Sequence, residues 1–500
     1  MSNLIIRGHM RFDTLIEAVA HWAENTSDKV CLIEADTDRK MTYAEFWFAI
    51  RVFARRLKDA GVQKGDRVVV RVGPLLETFV AQFSIYLVGG VYCPVEKHMK
   101  ELKLLEMLDY YDSTLFISTE RIDSEHTFID LSSVCDDGDI LTEVTFPNPD
   151  DMCAIVFTTG TTGDAKGVML SYKAYLIGSM ALSEAYEITE KDIFCWVAPI
   201  DKSGGIRLFC VALVVGCTAV HYDSAIFVNG FFNTLYRYGV TAIVLQSFML
   251  NIILKSAPDA FGRYRDQIRT IIFGGGNVSG KQKSQMQALL PNTRLFAHYN
   301  ATEVSAISYY EFSRYPEKEN CVGKPFPCSN IYIMDEEGNT IGKGSKENPG
   351  AIVHEGLCGM IGYWKDAGLT SKVKSNGRII MTDIGYIGDD NFLYILGRSD
   401  DVIVSGGHKI APYEVESIAS QIVGVSECLC VPLSNDTVGV VPQLIVQMED
   451  GVEFSAKKIY DFLAMRLETY KLPRVIREVD DFPRVSGSQK IDRKAFVKHE

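Results

Sequence analysis

The side chains best suited to chemistry crowd into one stretch, Thr158-Thr159-Gly160-Thr161-Thr162-Gly163-Asp164-Ala165-Lys166-Gly167-Val168. Its glycines let backbone N–H groups turn toward an anion, its threonine hydroxyls donate hydrogen bonds, and Lys166 adds a positive charge. The combination is a cradle for phosphate. It differs from the mononucleotide P-loop, because Ala165 stands where that motif has its second Gly and Gly167 where it has Ser or Thr. The apolar run Ala154-Ile155-Val156-Phe157 before the loop reads as a buried strand, and Ser171 after it as the N-cap of a helix reaching about Tyr186.

Two further stretches carry compatible groups. Thr270-Ile271-Ile272-Phe273-Gly274-Gly275-Gly276-Asn277 reads as a strand running into three glycines. Ligands of open α/β sheets sit at the carboxyl ends of strands, and glycine there admits a flat ring. In Arg294-Leu295-Phe296-Ala297-His298-Tyr299-Asn300-Ala301-Thr302-Glu303, Tyr299 offers a face to a purine and Thr302 a donor to a phosphate. Glu303 is a hard oxygen ligand suited to Mg²⁺, which neutralises phosphate charge.

The Thr/Gly loop closely resembles the phosphate loop of the adenylate-forming superfamily, which comprises acyl-CoA synthetases, luciferases and peptide-synthetase adenylation domains. Ala165 replaces the usual Pro, a loss of rigidity more than of chemistry. His298 to Glu303 resembles the family's Tyr-Gly-x-Thr-Glu motif. Asn300 takes the Gly position, and because Asn tolerates positive φ the turn is expected to survive. The resemblance implies that Asp383, in Met381-Thr382-Asp383 where the family has Thr-Gly-Asp, accepts hydrogen bonds from the ribose. It implies that Arg398 reaches the nucleotide and that Asp400 is the hinge of a small rotating domain. Lys490 fits the family's catalytic lysine, with Gln489 in place of Gly. A mobile cation there would bridge carboxylate and α-phosphate and offset the repulsion between the two reacting anions.

Which acid and which acceptor are separate questions. Pro199-Ile200-Asp201-Lys202-Ser203-Gly204-Gly205 falls where CoA ligases have Pro-Leu-x-His and amino-acid-activating relatives have Phe-Asp-x-Ser. Asp201 would hold an α-amino group, Lys202 a second carboxylate, and either could equally be a loop charge in water. Ile403 to Glu416 resembles the CoA-ligase version, in which Gly406 and Gly407 line the pantetheine path. The implied activity is activation of a small carboxylic acid as acyl-adenylate and its transfer to coenzyme A, with ATP, Mg²⁺ and CoA as cofactors. A freestanding adenylation enzyme loading an amino or aryl acid onto a separate carrier protein is the alternative. A nucleotide-binding homologue without turnover is a third reading, suggested by Ala165, Asn300, Thr382 and Gln489 and opposed by Lys490, Glu303 and Lys166.

The elements expected to position these groups alternate between strand and helix. A helix over about Asp13–Asn25, a Thr42/Glu45 capping box opening a helix that ends at Gly61, and strands near 30–34, 68–72, 91–94 and 115–118 make a parallel-sheet α/β unit. An acidic connection, 136–151, leads to a second alternating unit that begins at Ala154. Short strands with turn signals from about Cys321 suggest a small β-barrel. The pattern resets after Arg398 into a smaller α+β unit. The expected architecture is an N-terminal body, 1–399, of two packed α/β subdomains and the barrel, followed by a mobile C-terminal lid, 400–500.

Bulk properties limit the partners. A net charge of -13 without any basic cluster argues against a nucleic-acid surface and means that an anionic substrate must be held by local cations. Cysteines lie scattered in apolar runs with no CxxC pair, as free thiols of a reducing compartment do. The longest apolar run, Leu208 to Val220, is broken by Gly216 and too short to span a membrane. A cytoplasmic protein is expected.

Overall fold

The computed structural model describes residues 12–158, 166–223, 228–274, 278–316, 318, 321–405, 408–435, 439–484 and 491–497. Two sheets form its large body. The first runs in the order Gly362–Tyr363, Gly167–Ser171, Met152–Phe157, Val91–Val95, Arg67–Arg71, Leu115–Ser118, Thr127–Asp130. From Met152–Phe157 to Thr127–Asp130 its neighbours are parallel. The second has a parallel stretch in the order Arg294–Tyr299, Thr270–Gly274, Ala242–Gln246, Ile193–Trp196, Thr218–His221, Val30–Glu34. Helices between strands are the covering that parallel pairing requires.

Helix Leu75–Leu87 is buried at every position, and helix Ser203–Val215 at every position but Gly204. Both are predominantly apolar and pack in the core that joins the two layers, and the Glu77 that the first one buries is paired with Arg39. Local signals behave as expected at several ends. Thr42 and Glu45 close a reciprocal capping box on helix Tyr43–Asp59, Thr14 caps helix Leu15–Asn25, and the Ser171 hydroxyl accepts from the Ala174 N–H.

Two expectations about the α/β units need correction. Val30–Glu34, placed by chain order in the first unit, pairs with Thr218–His221 in the second sheet. Met152–Phe157, placed at the start of the second unit, pairs with Val91–Val95 in the first. Chain order thus does not assign strands to sheets. Gly167–Ser171 is also a strand, antiparallel to Met152–Phe157. The phosphate-cradle segment therefore joins two strands of a hairpin and does not lead straight into a helix.

The β unit that begins at Cys321 is antiparallel. Strands Cys321–Pro325, Leu393–Arg398, Arg378–Ile387, Gly350–Gly356 and Ser329–Met334 follow one another, and Ser308–Glu311 makes them continuous with the second sheet. After Ser399–Asp401 the chain forms a smaller α+β unit. Val425–Asn435 and Gly439–Met448 pair antiparallel, Val475–Glu478 adds in parallel, and helices Pro412–Ala419 and Ala456–Ala464 supply Val415 and Ile459 to its own core. Lys255–Asp450 (2.8 Å) and Lys281–Glu449 (2.7 Å) bridge this unit to the body. Both pairs are exposed, where solvent screening leaves an ion pair little net contribution. Among the described residues no helix is long and apolar enough to cross a membrane.

Candidate active site

The stem of the Thr/Gly loop is closed by its own backbone, as the Thr158 N–H donates to the Lys166 carbonyl at 3.0 Å. Beyond it, Val168 pairs with Tyr363, and the Trp364 N–H donates to the Gly167 carbonyl at 2.8 Å. Strand Gly362–Tyr363 thereby brings an aromatic ring to the loop. The Tyr363 hydroxyl donates to Glu303 Oε1 at 2.8 Å, while Lys166 Nζ sits 5.8 Å from the centre of the same ring. One side chain thus touches both the predicted phosphate lysine and the predicted magnesium carboxylate. Burial and the neighbouring Glu303 charge push the Tyr363 hydroxyl up, so it remains a donor. Thr302 is half-buried beside them.

A second group gathers around Asp383. The Tyr299 hydroxyl donates to Asp383, and burial followed by that carboxylate's charge raises the Tyr299 hydroxyl well above its ordinary range. Arg398 stands opposite Asp383 in the ladder and donates to Thr382 Oγ1 at 2.9 Å. Asp400 lies in the 3₁₀ turn Ser399–Asp401, 3.6 Å from Arg398, where the chain leaves the body. The residues expected to face the purine, accept from the ribose, reach the nucleotide and form the hinge are therefore contiguous.

Asn300 departs from its expected role. It is absent from the left-handed φ region, so the turn does not use the tolerance for positive φ anticipated there. Its side-chain amide instead meets His298 Nε2 at 3.0 Å, and the turn closes through Ala301 and Val304, whose N–H groups bond each other's carbonyls. His298 Nδ1 meets the Tyr186 hydroxyl at 2.8 Å. Burial and then the positive charge of Arg207 hold His298 down at about 3, so its imidazole is neutral. Gly274 ends its strand against this ring: a Cβ there would lie 3.1 Å from His298 Nε2.

The two acid-pocket candidates turn toward each other. Lys202 Nζ is 2.7 Å from Asp201 Oδ2, and Asp201 is only 9% exposed, so each charge already has a partner. Thr159, Gly160, Thr161, Thr162, Gly163, Gly275, Gly276, Asn277, Gly406, Gly407 and Lys490 lie outside the described residues. On either side of the segment that contains Lys490, Arg484 bridges Ile491 and the Asp492 N–H donates to the Pro483 carbonyl at 2.7 Å. Arg493 beside it is tied to Glu416 at 2.9 Å and Asp401 at 3.7 Å.

Sequence reasoning missed Tyr363 and Arg207. Tyr363 lies 60 residues from Glu303, with no local signal to join them. Arg207 had one: it is the lone charge in the otherwise apolar helix Ser203–Val215.

The chain is 27% identical over 480 residues to 2-succinylbenzoate–CoA ligase of Geobacillus kaustophilus strain HTA426, covering 92% of this chain and 93% of that one. It is 26% identical over 490 residues to the 3-[(3aS,4S,7aS)-7a-methyl-1,5-dioxo-octahydro-1H-inden-4-yl]propanoyl:CoA ligase of Rhodococcus jostii strain RHA1, covering 90% and 92%. Its fold matches ATP-bound MatB from Rhodopseudomonas palustris with TM-score 0.86 at 20% identity, over 97% of this chain and 98% of that one. It also matches o-succinylbenzoate CoA synthetase (MenE) of Bacillus subtilis bound to the acyl-adenylate OSB-AMP, with TM-score 0.84 at 24% identity, over 97% and 98%. The family models for "AMP-binding enzyme" and "AMP-binding enzyme C-terminal domain" match residues 19–364 and 414–490. With most of its length inside the first of these, the chain belongs to the AMP-binding, adenylate-forming enzymes.

Proposed function

We propose that this protein is an AMP-forming carboxylate–CoA ligase that uses ATP and Mg²⁺. The observation that carries the reading is the meeting of Lys166 and Glu303 on the two aspects of Tyr363, next to the Tyr299–Asp383–Arg398 group. Lys166 supplies a cation to the phosphates and Asp383 an acceptor to the ribose hydroxyls. Glu303, a partly exposed carboxylate oriented by one hydrogen bond, keeps an oxygen for Mg²⁺. Among the described residues no three His, Cys, Asp or Glu side chains form a metal site by themselves. That fits Mg²⁺, which takes one or two carboxylates and fills its shell with substrate phosphate and water. When bound, the ion neutralises charge on the triphosphate.

In the first half-reaction a carboxylate oxygen attacks the α-phosphorus, the bond to the bridging oxygen breaks, and pyrophosphate leaves. Lys490 stabilises the charge between the two anions. In the second, the thiol of CoA attacks the acyl carbon and AMP leaves. We place the boundary between body, 1–399, and lid, 400–500, at Asp400, which turns the lid so that Gly406 and Gly407 replace Lys490 at the site. The weak exposed pairs between lid and body suit such exchange. Twelve free cysteines favour a reducing, cytoplasmic setting.

The test is acid-dependent ATP–pyrophosphate exchange over a panel of acids, followed by CoA consumption with the best acid. The ligase reading expects both. Exchange without CoA consumption supports transfer to a carrier protein, and no exchange with any acid refutes turnover.

A further inference from the structure

Adjoining the turn that carries Glu303 is a buried cluster of nucleophilic side chains that the ligase chemistry does not use. Cys328 Sγ and Cys358 Sγ are 3.7 Å apart, in contact but unbonded. Cys358 Sγ lies 3.6 Å from His354 Nε2 and 3.6 Å from the Ser329 hydroxyl, and as a thiol it donates to the Ala306 carbonyl at 3.4 Å. The Ser329 hydroxyl meets His354 Nε2 at 3.0 Å. His354 is fully buried and its Nδ1 has no hydrogen-bond partner, so Nε2 is the nitrogen that serves the cluster. Strands Ser329–Met334 and Gly350–Gly356 pair antiparallel with Ser329 opposite Gly356, which puts the two cysteines at the same end of one strand pair.

The two thiols are unequal. The Cys328 S–H donates to Cys358 and holds that thiol well below its ordinary range, against the opposing effect of burial and with help from His354 and Ser329. The same contact, followed by burial, pushes the Cys328 thiol up. Cys358 is thus the nucleophile of the pair and Cys328 the thiol held in reserve. Each is flanked in the chain by an exposed residue. Leu357, beside Cys358, is 50% exposed. Pro327, beside Cys328, is exposed and lines a groove of about 560 Å³ shared with Ser183, Tyr309 and Arg314. The groove brings a molecule as small as a peroxide to within one residue of Cys328, which is itself 6% exposed.

The segment that follows Cys358 is the one that holds Glu303. The Cys358 carbonyl accepts from the Ser305 N–H at 3.2 Å, Gly359 bridges Val304, and the Met360 N–H donates to the Glu303 carbonyl at 2.7 Å. Further along the same segment the Tyr363 hydroxyl donates to the Glu303 carboxylate. Bonded sulfurs lie about 2.05 Å apart, so joining the pair from its 3.7 Å contact draws the sulfurs together by about 1.7 Å. A displacement of about 1 Å at a reacting centre can cost about a hundredfold in rate.

Building on the ligase reading, we propose that Cys328 and Cys358 are an oxidation site for hydrogen peroxide, closing reversibly into a disulfide that displaces Glu303 and Tyr363 and turns adenylate formation down. Cys358 gives its proton to His354 Nε2 and its sulfur attacks a peroxide oxygen. The S–O bond forms, the O–O bond breaks, and the leaving hydroxide takes that proton and departs as water. The Cys328 sulfur then attacks the Cys358 sulfur. The S–S bond forms as the S–O bond breaks, and the second hydroxide leaves as water with the Cys328 proton. Two thiols are oxidised and one peroxide is reduced to two waters. Thiol–disulfide exchange with small thiols reverses the step, which suits the transient, sensing disulfides of a reducing compartment.

The full-length protein is reduced, treated with hydrogen peroxide, and followed in parallel by peptide mapping after thiol alkylation and by pyrophosphate exchange. A Cys328–Cys358 link should appear with the same time course as a fall in exchange of about 10- to 100-fold. The half-saturating Mg²⁺ concentration should rise, and dithiothreitol should reverse all three changes. Cys358→Ala should keep exchange near the wild-type rate and lose the response to peroxide. Cys328→Ala should halt at the sulfenic acid of Cys358, trapped there by dimedone. Cys135→Ser, which changes a cysteine outside the pair, should respond as the wild type does. Absence of the Cys328–Cys358 link in protein that stays folded by circular dichroism overturns the proposal. So does a link that forms without any change in exchange, or an equal loss of exchange in Cys358→Ala. If the reduced protein shows no exchange with any acid, the ligase reading itself fails, and peptide mapping still decides whether the pair closes.

Discussion

Replacing Tyr363 by Phe removes one oxygen and leaves the ring under Lys166. In the wild type that oxygen donates to Glu303 Oε1 at 2.8 Å, and Tyr363 is 5% exposed, so water has little room to take its place. A hydrogen bond to a charged group contributes about 1.5–3 kcal/mol. If the bond holds the carboxylate in its Mg²⁺-binding orientation, its loss should lower kcat/KM for pyrophosphate exchange about 10- to 100-fold. The defect should concentrate in Mg²⁺: the half-saturating concentration rises, and excess Mg²⁺ recovers part of the rate. KM for the acid should change little. Tyr363→Ala should be worse, because it also removes the surface on which Lys166 rests. A Tyr363→Phe enzyme within about threefold of wild type across the Mg²⁺ titration would refute the idea that Tyr363 orients Glu303.

Further outcomes follow from the same geometry. Lys166→Met should reduce exchange about a hundredfold, the scale for one lost electrostatic stabiliser, with the protein folded by circular dichroism. Asp383→Asn keeps an acceptor for Tyr299 but weakens ribose binding, so KM for ATP should rise about tenfold by steady-state kinetics while KM for the acid holds. Arg493→Met strands the half-buried Glu416 carboxylate, whose pKa burial already raises. Losing a hydrogen bond to a charged group costs about 1.5–3 kcal/mol, which should appear in calorimetry as early melting of the C-terminal unit. His298 is held at about 3 against an ordinary 6.5, so between those values the unfolded chain binds a proton that the folded chain does not. Stability therefore falls as pH drops from about 6.5, and His298→Gln should flatten urea-denaturation stability between pH 6.5 and 5 by up to one proton's worth of slope.

The legible parts of the molecule were those specified locally. The Thr42/Glu45 box and the Ser171 cap need only residues three apart, and each appears at the expected position. Motif residues separated in the chain, such as Tyr299, Asp383 and Arg398, come together because each ends or lines a strand of one continuous sheet. What escaped was pairing. Gly167–Ser171 is a short apolar segment whose strand character comes from Met152–Phe157 and Gly362–Tyr363 on its two sides. Val30–Glu34 looks the same in either sheet. Nothing in the sequence Asp201-Lys202 says that the two side chains fold back on each other. Arg207 shows the reverse: its isolation among apolar residues was visible, but its effect on His298 was not.

The proposed first half-reaction is the attack of a carboxylate oxygen on the α-phosphorus of ATP. The most direct measurement uses acid labelled with ¹⁸O in its carboxyl group and follows the label through complete turnover with ATP and CoA. The mechanism predicts one ¹⁸O in the AMP released and none in the pyrophosphate. Label found in inorganic phosphate or pyrophosphate, with AMP unlabelled, would contradict it.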